Sequence, residues 1–491
     1  MTRMKIEWQH VYVRLTLTYG VSSGTNFCVL SDMCGEMEEG LLAVMGPSGC
    51  GKTTFLRMLA GRVPSGSITA GYVHYNGKER NIDQWLNNIA YVGQNDVIYK
   101  YMSARDHVVY SALFNRKKIR NLKQKIKLLF DRLDITKLMH KKMDKLSNGQ
   151  RKRVLIAMEL IKEPDIVIMD EPTSGLDNTS AFYLVQFLKE YALSGRIVIC
   201  SIHQPDERTV NVFDRILVLN TGHTIFLGKK ETCEELLRQN KIVRSPFMSF
   251  STHMMELCWS ENDGFYDANS MLRLCEIFNE NQLKYSKSAD RIPHFKSKDD
   301  FYLNMWINPY HIFLLLKRSM HARFSEKSAL VYIAIYNTPL PVFILFEKFY
   351  LRSDKFDFAA LDALPSNSPN LQQQLEDIIG YCNEFAHYTD QAYRFTIMLI
   401  STSIMYLGIS DLPRVCNELA LNRYSIVSYY FGSMLDGISV FIPPTTIGLL
   451  SMNIFVDAIF DMRFVFLSIL FILHACIYMY FFQNLFKGSG R

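Results

Sequence analysis

The chain has 491 residues, 48% of them hydrophobic and 21% charged, and a formal net charge of +6. That balance excludes a disordered acidic tail, a collagen, a coiled coil and a small disulfide scaffold, and the length leaves room for roughly two to four domains. It does not exclude a membrane protein, because the mean hydropathy of +0.01 averages two unlike halves. The long apolar runs lie after residue 325 and most basic residues before it.

Residues 1–245 read as alternating strands and helices. Strand-like apolar runs fall at 41–45, 89–92, 166–169, 197–201 and 216–219, with helical stretches such as 53–62 and 150–161 between some of them. The pattern predicts an α/β domain around a largely buried sheet. The densest basic stretch, 116–153, reads as a solvated helix face, and no nucleic-acid partner is expected from it. The ten cysteines form no CxxC pair and no zinc spacing, which suits a reducing cytosol. The opening MTRMKIEWQH has no apolar run of the signal-peptide kind.

Residues 246–300 are polar and mixed, and read as a linker with helical content. Over 301–327, Met305, Trp306, Ile312, Phe313 and Leu316 stand against Lys317, Arg318 and Arg323. They predict an amphipathic connecting helix suited to a membrane interface. Four apolar segments follow, at about 328–347, 395–410, 428–456 and 464–485, and predict an all-α transmembrane domain over 328–491. The fourth reaches bilayer length with ease. The first is interrupted by Asn337, Pro339 and Pro341, the second is short, and the third holds Asp436, Pro443 and Pro444.

Segment 351–393 carries two basic residues, Arg352 and Lys355, against seven acidic ones. The flanks of the other segments carry Lys317, Arg318, Arg323, Lys327, Arg414, Arg423, Lys487 and Arg491. The positive-inside rule therefore puts 351–393 outside and the N-terminal domain in the cytosol. Asp436 and His474 fall inside expected spans, where ionisable groups are functional candidates, and structural roles near the headgroups or between helices weigh against this. Cys382 is the cysteine of the exterior segment and reads as a free thiol.

The sharpest chemical signal is GPSGCGKTT at 46–54: Gly46, Pro47, Ser48, Gly49, Cys50, Gly51, Lys52, Thr53 and Thr54. It fits G-x-x-x-x-G-K-[ST] and follows the strand LLAVM. Backbone N–H groups of such a loop ring a phosphate, and the next helix turns its positive end towards the anion. Lys52 is placed to reach the β- and γ-phosphates, and Thr53 to hold Mg²⁺. A second signal is IVIMDEP at 166–172, a hydrophobic strand ending in two carboxylates. Asp170 is placed to bind Mg²⁺ and Glu171 to orient the attacking water, and phosphoanhydride hydrolysis needs little beyond such positioning and charge neutralisation.

The third signal, LSNGQRKR at 146–153, resembles the signature of ATP-binding-cassette (ABC) proteins. The resemblance implies an α/β P-loop cassette followed by an all-α transmembrane domain. It implies two cassettes closing head to tail on ATP and Mg²⁺. Ser147, Gly149 and Gln150 would then meet nucleotide held by the partner chain. Gln94, in AYVGQND, resembles the Q-loop that serves metal and water. SGLD at 174–177 resembles the D-loop, which places Asp177 near the nucleotide. His203, in CSIHQPDE, resembles the switch histidine at the γ-phosphate. Tyr12 and Tyr19 are both candidates for the aromatic that stacks on adenine.

FLRMLAGR, SIHQP with VFDRILVLNTGHTIFLG, NELALNRYSIVSYY, and the order of cassette before spans resemble the G, or White, subfamily of half-transporters. The resemblance implies an ATPase that drives export of a lipid-like or apolar compound, dimerising with a second half-transporter as a homo- or heterodimer among membrane lipid. The chain departs from that pattern in places. Asn148 stands where the signature usually has Gly, although Asn tolerates a left-handed backbone, and reduced ATP turnover stays open. Segment 351–393 is longer than the subfamily's. Four spans stand where the family half has six, so a truncated gene model, a fragment and a true reduction are all open. An ATP-binding regulatory or inactive partner subunit, and a soluble ABC ATPase acting on nucleic acid, are the alternative readings.

Overall fold

The computed structural model describes residues 4–17, 25–63, 67–94, 98–115, 119–258, 296–297, 307–325, 415, 418–419, 423–433 and 435–436. The chain divides into two units, Met1–Asn304 with Asn417–Arg423, and Met305–Cys416 with Tyr424–Arg491.

The first unit opens with β1 (Lys5–Leu17), β2 (Thr25–Glu38), β3 (Gly40–Met45) and α1 (Lys52–Leu59). Next come β4 (Ile68–Tyr75), β5 (Lys78–Glu79), α2 (Ile82–Asn88) and β6 (Ile89–Val92). A helical stretch follows, with α3 (Ala104–Leu113), α4 (Leu122–Arg132) and α5 (Asn148–Leu160). The alternation resumes with β7 (Ile166–Met169), α6 (Asn178–Ala192), β8 (Ile197–Ser201), α7 (Glu207–Val210), β9 (Arg215–Asn220) and β10 (His223–Gly228). It closes with α8 (Lys230–Gln239), α9 (Phe250–Cys258) and β11 (Lys296–Ser297).

Among the described residues two sheets form. One has the order β10-β9-β3-β8-β7-β6, and its β9, β3, β8, β7 and β6 are parallel neighbours. The parallel core strands bury both faces, so they read as continuous apolar runs and not as alternation. Leu41, Ala43 and Met45 of β3 enter one core while Leu42 and Val44 enter the other. Val167 and Met169 of β7 likewise oppose Ile166 and Ile168. The period of two fixes which side chain faces which helical layer. Phe250, Met254 and Cys258 belong to the first of these cores, so the packing of the α/β domain runs on past residue 245.

The other sheet is antiparallel, ordered β11-β4-β1-β2 with β5 beside β4. Trp8 of β1 is fully buried and meets Phe55 of α1 edge to face at 5.4 Å, which ties this sheet to the helix after the Gly-rich loop. Parallel alignment in the larger sheet carries the C-terminal ends of β3, β8, β7 and β6 to one edge. Ligands of open α/β sheets bind at that edge.

The second unit has a helix, α10 (Pro309–Ser325), within the 301–327 stretch. Leu314, Leu315 and Arg318 are buried, whereas Tyr310 and Phe313 are exposed. Ser319 Oγ donates to Asp436 at 2.7 Å, the Asn308 N–H donates to Ser428 Oγ at 3.0 Å, and Arg318 lies over the Tyr424 ring. A Cβ on Gly432 would stand 3.0 Å from Leu315 Cβ, so glycine allows this close backbone approach. No described helix is long and apolar enough to cross a membrane. The first, second and fourth expected spans lie outside the described residues, as do His474, Cys382 and Tyr19, and the third is described only at 428–433 and 435–436.

Candidate active site

Residues 46–54 leave the buried end of β3 and turn directly into α1. Gly46 has φ 155, and a Cβ there would lie 2.3 Å from the Leu219 carbonyl oxygen, so no other residue fits the turn. Gly51 precedes α1 in the left-handed region at φ 103, and no side chain caps the helix. The first N–H groups of α1 are therefore left for a ligand, which is what an anion-binding helix end requires. Lys52 is buried and donates to the carbonyls of Gly46 and Pro47 at 2.7 and 2.8 Å, folding over the loop it belongs to. The far end of α1 is held firmly. Arg80 donates to the Met58 and Leu59 carbonyls at 2.8 and 2.7 Å, and Trp85 Nε1 also donates to Leu59 at 3.0 Å.

Asp170 and Glu171 follow β7 at the same sheet edge. Asp170 is buried, and Ser201 Oγ, at the end of β8, donates to its Oδ1 at 2.7 Å. Its other oxygen, Oδ2, is buried and makes no hydrogen bond. A buried carboxylate oxygen without a donor is costly unless a cation or water takes it up. Together with the hydroxyl of Thr53, this oxygen-rich donor set fits Mg²⁺.

Glu171 sits at φ 48, unusual for a residue with a side chain, at a cost of order 1–3 kcal/mol. Its N–H donates to Ser201 Oγ at 2.8 Å, and its Oε2 accepts from Gln94 Nε2 at 3.1 Å. Gln94 thus leaves β6 to meet the expected catalytic carboxylate. Lys152 of α5 is buried and donates to the carbonyls of Gly93 and Asp170 at 2.7 and 3.2 Å, tying both strand ends to the signature helix. His203 stands exposed two residues beyond Ser201, and Gln204 after it has φ 43.

Ser147 is the N-cap of α5, in a reciprocal capping box with Gln150. Ser147 and Asn148 are exposed and Gly149 is buried. Asn148 is the first helical residue of α5 and is absent from the positive-φ positions, so its tolerance of left-handed backbone is not called upon. Gly149 has a different constraint: a Cβ there would lie 2.3 Å from Leu176 Cδ2. The SGLD turn therefore packs straight onto the signature. Asp177 N-caps α6 by accepting from the Ser180 N–H at 2.9 Å, and the hydrogen bonds from Ser180 lower its pKa. Tyr12 lies in β1, opposite Ala70 of β4.

A phosphate loop after β3, a helix end open to anions and two carboxylates after β7, with β8 between the two strands, thus converge on one edge. The family profile of the ABC transporter matches residues 31–174. The chain carries an ABC transporter domain. ABC transporter G family member 13 of Arabidopsis thaliana is 36% identical over 210 residues, covering 40% of this chain and 30% of that protein. ABC transporter G family member 1 of Dictyostelium discoideum is 34% identical over 223 residues, covering 43% and 28%. ABC transporter G family member 11 of Arabidopsis thaliana is 32% identical over 269 residues, covering 53% and 37%. The chain spans about a third of the length of these curated relatives. The cassette is of the ATP-hydrolysing type.

The cassette also holds a charged cluster that sequence patterns did not single out. At the far end of α5, Glu159 accepts from Lys162 with both oxygens at 2.8 Å and from Arg423 Nη2 at 2.7 Å. Arg423 Nη1 also donates to Glu418 at 3.4 Å. Burial alone would raise the Glu159 carboxyl, but the charges of Lys162 and Arg423 outweigh it and bring its pKa down to about 2. Burial, with Arg423 and Arg62 nearby, brings Lys162 down to about 8 against the pull of Glu159. Nothing local in MELIKEP or LNRYS announces this meeting. Ser201 and Lys152 were equally silent, because each acts on residues far away in sequence.

Proposed function

We propose that the chain is a half-transporter in which ATP binding and hydrolysis by the cassette drive transport across a membrane, with a second half-transporter supplying the opposing signature. The observation that carries this reading is the Glu159–Arg423 contact. It fastens the signature helix to Arg423, shortly before the third expected span. A helix whose first turn faces nucleotide and whose last turn grips Arg423 is a lever between the two. Export of a lipid-like or apolar compound is the substrate class implied by the resemblance to the White subfamily, and the cassette faces the cytosol.

In the chemistry, Lys52 leaves the loop carbonyls for the phosphates. Asp170 and Thr53 would hold Mg²⁺, which would neutralise phosphate charge. Ser201 fixes Asp170 and the Glu171 backbone, and Gln94 holds the Glu171 carboxylate until it turns to orient water. His203 and the partner's signature complete the surround of the γ-phosphate.

The test uses the full chain in native membranes and after detergent purification. Carbonate washing should leave it in the membrane. Glu171→Gln should retain ATP while losing about 10²–10⁴-fold in turnover, and Lys52→Ala should lose both. Release by carbonate defeats the transport reading, and undiminished turnover in Glu171→Gln defeats the mechanism.

A further inference from the structure

We propose that His10, Asp32 and Cys34 form a divalent transition-metal site, suited to Zn²⁺, on the antiparallel sheet of the cassette. One ligand atom from each lies within 4.8 Å of the others, and among the described residues this is where three metal-ligating side chains gather. The set mixes imidazole nitrogen, carboxylate oxygen and thiolate sulfur, which selects zinc and its neighbours over Mg²⁺ or Ca²⁺. It is therefore distinct in chemistry from the oxygen ligands at Asp170 and Thr53.

The backbone builds the cluster. Pairing of β1 with β2 shifts register between Trp8 and Val11 and again between Val11 and Val13. His10 and Asp32 occupy the left-handed region there, at φ 49 and φ 48. Bulges of this kind re-aim side chains. Here they bring together residues whose spacing would scatter them in a regular ladder. A Cβ on Gly71 would stand 2.2 Å from the His10 carbonyl oxygen, so glycine lets β4 close over the bulge.

His10 has unmet polarity. Its Nδ1 lies 2.8 Å from Asp32 Oδ1, while Nε2 is buried and makes no hydrogen bond. Coordination relieves this at either nitrogen. An ion at Nε2 satisfies the orphan directly, and Asp32 then orients the ring through Nδ1–H. An ion at Nδ1 joins Oδ1 and Sγ, after the pair opens from 2.8 Å to the roughly 3.3 Å that tetrahedral bonds near 2.0–2.1 Å impose. Asp32 is required in both arrangements. The His10 N–H also donates to Cys34 Sγ at 3.2 Å, the contact that steadies a thiolate. Burial raises the Cys34 thiol, so a bound metal would have to displace its proton. Asp32 is half exposed, which leaves the ion a way in.

The probe is Co²⁺ added to purified full chain in the presence of excess Mg²⁺, read by its thiolate charge-transfer absorbance and displaced by Zn²⁺. One equivalent should bind. Cys34→Ser should abolish the band, His10→Gln should abolish binding, and Asp32→Asn should weaken it at least about tenfold. Cys28→Ser should change nothing, because its sulfur is engaged with Leu30 and Ser31. Thermal melts of each variant identify any that fail to fold, and exposed Asp32→Asn serves if the half-buried His10 and Cys34 variants do. No band in the wild type, a band that survives Cys34→Ser, or unchanged affinity in Asp32→Asn overturns the proposal.

Discussion

Arg423 donates to Glu159 at 2.7 Å across 264 residues of sequence. Both side chains are nearly buried, at 10% and 6% exposure, so the contact is not a surface pair that salt would screen away. Removing one partner strands the others in a low-dielectric site.

Glu159→Gln is expected to destabilise the cassette by about 3–5 kcal/mol at neutral pH. The folded carboxyl titrates near 2, below its ordinary 4.5. Its stabilisation is therefore complete above about pH 4.5 and fades as the pH falls towards 2. Denaturant unfolding of wild type and variant should show a gap that is constant around neutrality and narrows on acidification. A gap that stays fixed down to the acid limit would count against an ionised Glu159.

Ser201→Ala removes the donor to Asp170 Oδ1 and the acceptor for the Glu171 N–H. A loss of about 1–3 kcal/mol in stability is expected from the unsatisfied carboxylate. Turnover should fall more than ATP affinity does, because the variant disturbs carboxylate positioning and leaves the phosphate loop intact. Steady-state ATPase and nucleotide binding, measured side by side, separate the two. A change in affinity alone would contradict this role.

Gly149→Ala places a methyl 2.3 Å from Leu176 Cδ2 and should push the SGLD turn off the signature, with loss of ATP turnover. Leu176→Ala in the same chain makes room and should restore much of the loss. Coupling of this kind shows as non-additivity in a double-mutant cycle. Additive losses would mean that the two residues do not meet.

Asn148→Gly changes the first helical residue of α5, which is exposed and already helical. It should weaken the helix by about 0.5–1 kcal/mol through backbone entropy and leave ATP turnover within about twofold. A large rise in turnover would show that Asn148 itself restrains the cassette.

The phosphate loop, β7 with its two carboxylates, and the parallel core were legible because each is written in consecutive residues: GPSGCGKTT after LLAVM, IVIM before Asp170. The long strands β1 and β2 were not. Their alternation breaks at the bulges around His10 and Asp32, so the period of two that signals a strand is lost there. Ser201 looked like the tail of a strand, and Lys152 like one more cation in a basic run. Their roles come from partners at Asp170 and Gly93, and no local pattern encodes a contact between neighbouring strand ends. Arg423 is the extreme case, since its partner lies beyond the whole linker and the first two expected spans.

Arg80 places a half-buried positive charge against the last carbonyls of the phosphate-binding helix. Burial lowers its pKa to about 10, which still leaves it charged at neutral pH. A helix of eight residues is too short to persist by itself. With a cation fixed behind it, its dipole is matched at one end before any anion arrives at the other. Nucleotide phosphate therefore docks against a helix already polarised from the rear, and its grip on ATP depends in part on a side chain that never touches ATP.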